Sequence, residues 1–408
     1  MRIASSTIYE TGTSQLSTLQ SSLARTQQQI ATNRRMLTPA DDPIASARAL
    51  EVSQSKSVNA QFATNRQNAR AALATEELAL TGATTLIQDV QSIALKAGNS
   101  ALSAADRESL AVELAGHLED MFGIANSTDG AGDFMFGGYK TETAPFARTA
   151  GGAQYLGDQG QRQLQASTAR QIPVGDSGSA VFESNRTGNG TFVTTAAAGN
   201  AGTGVVSTGA VVDQAKLTGN QYEISFAVSG TPAATSYSVL DKKTGLPPPG
   251  VSGPQPFSPD QQIAFDGLSF TVKGNPAAGD KMNIEPSTKQ SVFKTMTDLI
   301  ATLRAPANTA GQQAALSNGL NRANENLSSA LDNVLSVRSS VGSRQKELDT
   351  LDSAGEDLNI QYEATLSNLQ DLDLVAAYTS YTQQQVTLEA AQKSFKSLTG
   401  LSLFNYIG

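Results

Sequence analysis

The chain has 408 residues, of which 39% are hydrophobic and 16% charged, and it carries a formal net charge of −8 at pH 7. Its length predicts roughly two to four domains of about 100–200 residues each. The acidic balance disfavours nucleic acid and anionic membrane surfaces as partners, because both attract clusters of basic residues. The absence of cysteine excludes disulfides, thiolate catalysis and cysteine-based zinc sites.

The N-terminal residues 1–12 lack an apolar core of the length found in signal peptides. No window approaches the ~18 consecutive apolar residues of a membrane span. We therefore expect no membrane insertion. If the chain is exported, we expect a route without a cleaved Sec signal peptide.

The first helix is predicted from an N-cap at Ser14 to about residue 37, after a disordered or adaptable start. Its apolar residues recur at alternating spacings of three and four, which places them on one seam as in a coiled coil. Thr26 and Asn33 occupy weaker positions of this seam. The apolar members are Leu16, Leu19, Leu23, Ile30 and Leu37.

An interhelix turn is predicted where Pro39 and Pro43 enclose two acidic residues. Proline breaks a helix and pushes the preceding residue to extended geometry. Asp42 can cap the next helix, with Pro43 at its first position. Asp41 and Asp42 could also be read as metal ligands, but capping explains them better.

Two further helices follow the turn. The second is predicted from Asp42 to about Gly98 without an internal proline, and would be long for a compact globule. The third is predicted from an N-cap at Ser103 to a point before Asp129.

From about residue 130 the composition changes to glycine, aromatic and β-branched residues, which predicts short strands, including one at 134–136. Residues 185–210 are predicted as a loop or weak strands, and a deletion across 190–208 is predicted to be tolerated. Asp266-Gly267 is a hairpin signal. A clean alternation predicts a strand with one buried face: Tyr222, Ile224, Phe226 and Val228.

Helical patterning returns at Ser291 and, after a short break, resumes at about Gln312 and continues to the C-terminal region. Gly355 is the point where this helix could break. The final stretch has an apolar seam of its own: Leu358, Tyr362, Leu369, Leu372 and Val386. Other apolar residues lie off the seam, including Leu366, Val375 and Leu388. The predicted interface extends through Phe395, Leu398, Leu403 and Phe404.

A helix that is apolar on more than one side is normally packed against neighbouring elements on more than one side. At a chain end, this pattern favours burial against other subunits. The alternative is an ordinary helical bundle within one chain.

The predicted fold class is therefore α+β, with a long α-helical coiled-coil rod formed by both chain ends and a β-rich domain inserted in the middle of the sequence. The predicted rod segments are 41–130 and 291–355, and the inserted domain is 131–290. Residues 1–40 and 356–408 are predicted as the terminal coiled-coil helices, disordered in the isolated monomer because they lack partners.

Catalytic chemistry has little support in the sequence. His117 is the only histidine, and no ligand-spaced carboxylates or histidines surround it in the sequence. No nucleophile-elbow pattern is present, and Ser109 shares a predicted helix with His117. We therefore expect no enzyme activity, no metal site and no cofactor.

Several stretches resemble the flagellin superfamily, and within it the hook–filament junction proteins. The resemblance covers about 1–140 and 290–408. The N-terminal stretches are 33–35 with the turn at 38–43, and the entries to the β region at 136–139, 143–146 and 155–158. The C-terminal stretches are the helix at 369–395 and the ending at 401–407. The segment 263–270, with 278–280, is similar to a β unit of axial hook proteins.

This resemblance implies a structural role as a ring of axial subunits that joins hook and filament outside the cell after type III export. The implied partners are further copies of the chain, the other hook–filament junction protein and the flagellin of the filament. A cytoplasmic chaperone is expected to hold the C-terminal helix before export. Two alternatives remain: a filament-forming flagellin, and a secreted enzyme or adhesin on a helical stalk.

Overall fold

The computed structural model describes the backbone of residues 5–400 and the side chains of residue 7 and residues 9–397. The fold class is α+β, with helices from both chain ends flanking a β-rich central region. The described residues form two compact units, one of 5–65 with 349–400 and the other of 66–348. The helices are α1 (Ser5–Thr32), α2 (Pro43–Ala97), α3 (Ala104–Ala125), α4 (Val292–Arg304), α5 (Ala310–Gln370) and α6 (Leu374–Gly400).

Local capping explains where α3 and α4 begin. Ser103 forms a capping box with Asp106, in which each side chain accepts from the other residue's amide. The Ser291 hydroxyl accepts from the Lys294 amide at the start of α4. These two starts agree with the sequence-based expectation.

The bounds of α1 differ from the prediction. The helix begins at Ser5 rather than after Ser14, because no proline or other strong breaker precedes Ser14, and the Thr13 hydroxyl bonds back to the Tyr9 carbonyl. It ends at Thr32 because Asn33 adopts a left-handed conformation with φ 52°, a common way to end a helix. Leu37 therefore lies in the following turn.

The predicted break at Gly355 is wrong. α5 runs for 61 residues through this position, and Gly355 is buried, with its carbonyl accepting from Asn59 Nδ2 at 2.7 Å. The helix is interrupted instead at residues 371–373, between α5 and α6.

The strands of the central region are β1 (Phe146–Thr149), β2 (Gly152–Tyr155), β3 (Gln163–Ser167), β4 (Arg170–Pro173), β5 (Asn185–Arg186), β6 (Phe192–Ala196), β7 (Val205–Val206), β8 (Ala210–Val211), β9 (Tyr222–Ser229), β10 (Ala234–Asp241), β11 (Gln255–Pro256), β12 (Gln262–Phe265), β13 (Leu268–Lys273), β14 (Lys281–Pro286) and β15 (Lys289–Gln290). A five-stranded sheet has the order β11-β10-β9-β14-β6, and a second sheet has the order β12-β13-β7, with β8 also on β13. Three two-stranded pairs, β1-β2, β3-β4 and β5-β15, complete the region. All pairings are antiparallel.

The alternation predicted at 222–228 is confirmed in β9 for Tyr222, Ile224 and Phe226, which are buried. It is wrong for Val228, which is 39% exposed. The predicted hairpin is confirmed between β12 and β13. Its two turn residues, Asp266 and Gly267, both have positive φ, as a type I′ turn requires.

Of the two alternatives for residues 185–210, a loop or weak strands, the structure shows short strands. The tolerance of a deletion across 190–208 stays a prediction, and the structure counts against it. This segment contains β6 and β7, and Phe192 and Val206 belong to the same buried core as β9. Because β6 pairs with a strand far along the chain, its local glycine-rich composition concealed it.

The strand predicted at 134–136 is absent, and Phe136 is instead buried in an aromatic cluster with ring centroids 4.5–6.0 Å apart. Its other members are Phe122, Phe146, Phe182 and Phe293.

Candidate assembly interface

The helices from the two chain ends, α1 and α6, pair antiparallel within one compact unit. The Tyr9 and Phe395 rings lie 5.3 Å apart at one end, and Thr26 Oγ1 lies 3.0 Å from Gln384 Oε1 further along. A side chain at Gly12 would meet the Phe395 ring at 2.6 Å, so glycine allows the close approach.

Most of the predicted interface residues are half-buried in this unit. They are Leu16, Leu19, Leu23 and Ile30 on α1, Leu37 in the turn, Tyr362, Leu366 and Leu369 on α5, Leu372 in the link, and Leu388 and Phe395 on α6. Half-burial shows that one chain covers only part of this apolar surface.

Three of the predicted interface residues are exposed. Leu358 lies on α5, and Val375 and Val386 on α6 are 79% and 62% exposed. Tyr378 is 57% exposed and lies on the same side of α6 as these two valines, since its spacing of three residues and the valines' spacing of eleven are close to one and three turns. Leu398, Leu403 and Phe404 lie outside the described side chains.

The interhelix turn is organised by Asp41. Its Oδ2 accepts from the amides of Leu37 at 2.8 Å and Thr38 at 3.0 Å, and its Oδ1 contacts the Arg25 guanidinium at 2.5 Å. Hydrogen bonds from Thr38 and Leu37 hold the pKa of this carboxyl below its usual value, with a smaller contribution from Arg25. Asp41 therefore stabilises the turn and caps no helix.

Asp42 caps α2. Its Oδ1 accepts from the Ala45 amide at 2.9 Å, and Pro43 occupies the first helical position. Arg35 Nη2 lies 3.3 Å from the other carboxylate oxygen. The predicted turn therefore belongs to the same compact unit as the α1–α6 pair. Its four residues are Pro39, Asp41, Asp42 and Pro43.

The residues just after α1 also bind the end of α5. The Arg35 amide donates to the Gln370 carbonyl at 2.8 Å, and Arg35 Nη2 donates to the Leu369 carbonyl at 3.0 Å. The last carbonyls of a helix have no partner within the helix, so Arg35 satisfies two of them. The Leu372 amide donates in turn to the Asn33 carbonyl at 3.3 Å.

The α5–α6 link was missed from the sequence. Asp373 Oδ1 accepts from the Ala376 amide at 3.0 Å, which makes Asp373 the N-cap of α6. The available signal was an aspartate directly before an apolar helical run, but the Leu369–Leu372 seam masked it.

Within the part of the chain that the structure describes, no group of three or more metal-ligating side chains is present. His117 is half-buried, with its Nδ1 3.9 Å from an Asp120 carboxylate oxygen. None of the described helices combines the length and apolarity needed to cross a membrane.

Comparisons with known proteins agree with the two-ended helical arrangement. Residues 3–141 match the family model for the bacterial flagellin N-terminal helical region. Flagellar hook-associated protein 3 of Salmonella typhimurium is 29% identical over 407 residues, covering 99% of both chains. The crystal structure of the flagellar junction protein FlgL from Legionella pneumophila is 31% identical with a TM-score of 0.71, covering 79% of this chain and 100% of that one. The chain belongs to the hook-associated protein 3 family of the flagellin superfamily.

A further member of this family, Xanthomonas campestris FlgL, is 29% identical with a TM-score of 0.70 and covers 78% of this chain and 99% of that one. As a family member, the chain is a component of the hook–filament junction of the bacterial flagellum rather than a filament-forming flagellin. Its relatives are structural proteins.

Proposed function

We propose that the chain joins hook to filament by packing its terminal helices against those of neighbouring copies in a ring. The observation that carries this proposal is the uncovered apolar face of α6, where Val375, Tyr378 and Val386 are all mostly exposed. Fully burying a large apolar side chain contributes about 1.5–3 kcal/mol, and in a ring this gain recurs at every interface.

The residues already half-buried in the α1–α6 pair support the same proposal. Leu16, Leu19 and Leu23 retain exposed surface, although Phe395 and the rest of α6 pack beside them. A helical bundle that is complete within one chain would have buried these leucines. Incomplete burial on several sides fits a pair of helices that is completed by other subunits.

We further propose the following roles and partners for the chain, none of which is enzymatic. It is exported without a cleaved Sec signal peptide, through the flagellar type III route, and acts outside the cell. Its partners are other copies of itself, the second hook–filament junction protein, flagellin, and a cytoplasmic chaperone bound to the C-terminal helix. Residues 1–40 and 356–408 supply the assembly surface, and they gain order on assembly.

Deletion of the gene tests the proposal. We expect cells with complete hooks but without filaments, and flagellin released into the medium. Complementation with the wild-type chain should restore filaments. Intact filaments on the deletion strain would contradict the proposed role, and normal filaments in a strain expressing only a chain truncated after residue 370 would contradict the role of α6.

A further inference from the structure

Arg107 is a buried cation without a carboxylate partner in the described part of the chain. It lies in the first turn of α3 and is 8% exposed. Its Nη1 donates to the Leu102 carbonyl at 3.4 Å, and its buried Nε has no hydrogen-bond partner. The neighbouring Glu108 turns away to pair with Arg304. A buried guanidinium without a counter-charge is unfavourable unless an anion joins it.

Arg107 lines a solvent-open cleft of about 300 Å³. The cleft walls come from the turn at 98–102 after α2, the approach to β7 at 203–205, and the first three turns of α5. No aspartate or glutamate is among its lining residues. The carbonyl end of α2 reaches the same cleft but supplies only partial negative charge.

The N-terminus of α5 adds donors to this cleft. Thr309 Oγ1 accepts from the Gln312 amide at 3.2 Å, and Gln312 Oε1 accepts from the Thr309 amide at 3.1 Å. This capping box leaves the amide of Ala310, a lining residue, without an acceptor in the described chain. The positive end of a long helix dipole therefore lies beside an unpaired guanidinium.

We propose that this cleft binds an oxyanion, either a carboxylate or a phosphate group, held by the Arg107 guanidinium and the amino end of α5. The anion could be a small ion from solution or the side-chain carboxylate of an aspartate or glutamate in a second copy of this acidic chain. The second source rests on the proposed assembly, whereas the first does not.

Thermal melting of the full-length monomer tests the first source. Sodium phosphate, compared with sodium chloride at the same ionic strength, should raise the midpoint along a saturating curve, because a ligand bound only to the folded state stabilises it by mass action. Arg107→Met keeps the aliphatic stem and should abolish this rise. Arg304→Gln, which removes a nearby surface cation paired with Glu108, should preserve it.

A second variant keeps the test decisive if Arg107→Met fails to fold. Ala307→Asp places a carboxylate in the cleft wall, and this variant should melt higher than the wild type without phosphate and respond less to it. A saturable rise with phosphate that is equally large in the wild type and in either cleft variant would overturn the site.

Filament counts distinguish the second source. If the occupant is instead a carboxylate from another copy, cells carrying only Arg107→Met form fewer filaments than those carrying Arg304→Gln, whether or not the wild-type monomer responds to phosphate. Failure of the wild-type chain itself to restore filaments would instead count against the proposed function. Absence of both the phosphate response and the specific filament defect would overturn the oxyanion site.

Discussion

Thr26 Oγ1 lies 3.0 Å from Gln384 Oε1, across the antiparallel pair of α1 and α6. Thr26 is the only residue of α1, among those whose side chains are described, that is buried. Its hydroxyl also lies 3.1 Å from the Ser22 carbonyl. A polar contact therefore occupies the best-covered position of a seam whose leucines are only half-buried, which suits a pair of helices that must hold one register.

Replacing Thr26 with valine should loosen the α1–α6 pair. The substitution keeps the shape but removes a hydrogen bond worth about 1 kcal/mol and leaves Gln384 without this partner. We expect faster proteolysis and faster amide exchange in α1, with little change in the unit of residues 66–348. Thr18→Val is the matched control, because the exposed Thr18 hydroxyl bonds only its own helix. Equal effects of the two variants would contradict the register role.

Loss of the Asp42 cap should destabilise the start of α2. In Asp42→Ala the Ala45 amide loses its acceptor, which typically costs about 1 kcal/mol. We expect the terminal unit to be less stable and the first turns of α2 to open more often. Faster exchange of the backbone amides in those turns measures this. Asp42→Asn, which retains a capping oxygen, should behave nearly as the wild type. A loss in Asp42→Asn as large as that in Asp42→Ala would show that charge, rather than capping, matters there.

Glu76 should make stability depend on pH. Burial, and secondly the nearby Asp176 carboxylate, raise the pKa of Glu76 to about 7, although its Oε1 accepts from the Asp176 amide at 2.9 Å and Arg344 lies close by. In the unfolded chain Glu76 ionises near its usual value of 4.5, while in the folded chain it keeps its proton until about pH 7. Its contribution is therefore fully present below pH 4.5 and is lost as the pH rises to about 7.

The size of this contribution is at most about 3 kcal/mol, from roughly 1.4 kcal/mol per pKa unit. Glu76→Gln should remove the dependence and be more stable than the wild type at pH 8. Urea denaturation of the wild type and of Glu76→Gln from pH 5 to pH 8 gives the difference in their free energies of unfolding at each pH. The contributions of the other titrating groups cancel in this difference. Glu77→Gln is the control: it removes the partner of Arg338, 2.7 Å away, and should lower stability. A wild-type and Glu76→Gln difference that is constant with pH would contradict this account.

Leu369→Asp with Leu372→Asp should disrupt the terminal unit alone. Both leucines are half-buried beside the Arg35 contact with the end of α5, so two carboxylates there would be poorly solvated. The unit of residues 66–348 has its own buried apolar core and should stay folded. We expect one retained thermal transition, rapid cleavage of the termini and no filaments. Unfolding of the whole chain would show that these leucines belong to one common core.

Elements with local signals could be predicted from the sequence. Helix starts are marked by side chains that accept from amides three residues later, at Ser103, Ser291 and Asp42. The alternation at 222–226 and the Asp266-Gly267 turn are equally local. The packing of the two terminal helices against each other also followed from residue spacing.

Features that depend on distant partners could not be predicted. β6 is a strand because it pairs with β14. Gly355 lies inside a continuous helix, where Asn59 from far along the chain binds its carbonyl. Thr26 reads as a weak position of an apolar seam, but its burial depends on α6. The link at 371–373 is shaped by Asn33 and Arg35 from the other end of the chain.

The central claim is that the uncovered face of α6 serves assembly rather than folding of one chain. The most direct measurement is filament number in cells carrying Val375→Asp with Val386→Asp, alongside the melting curve of the purified monomer. Because both side chains are mostly exposed in one chain, the monomer should melt within about 0.5 kcal/mol of the wild type. Filaments should be lost, because each subunit would bury unpaired carboxylates against its neighbour. Normal filaments, or a monomer that unfolds, would contradict the claim.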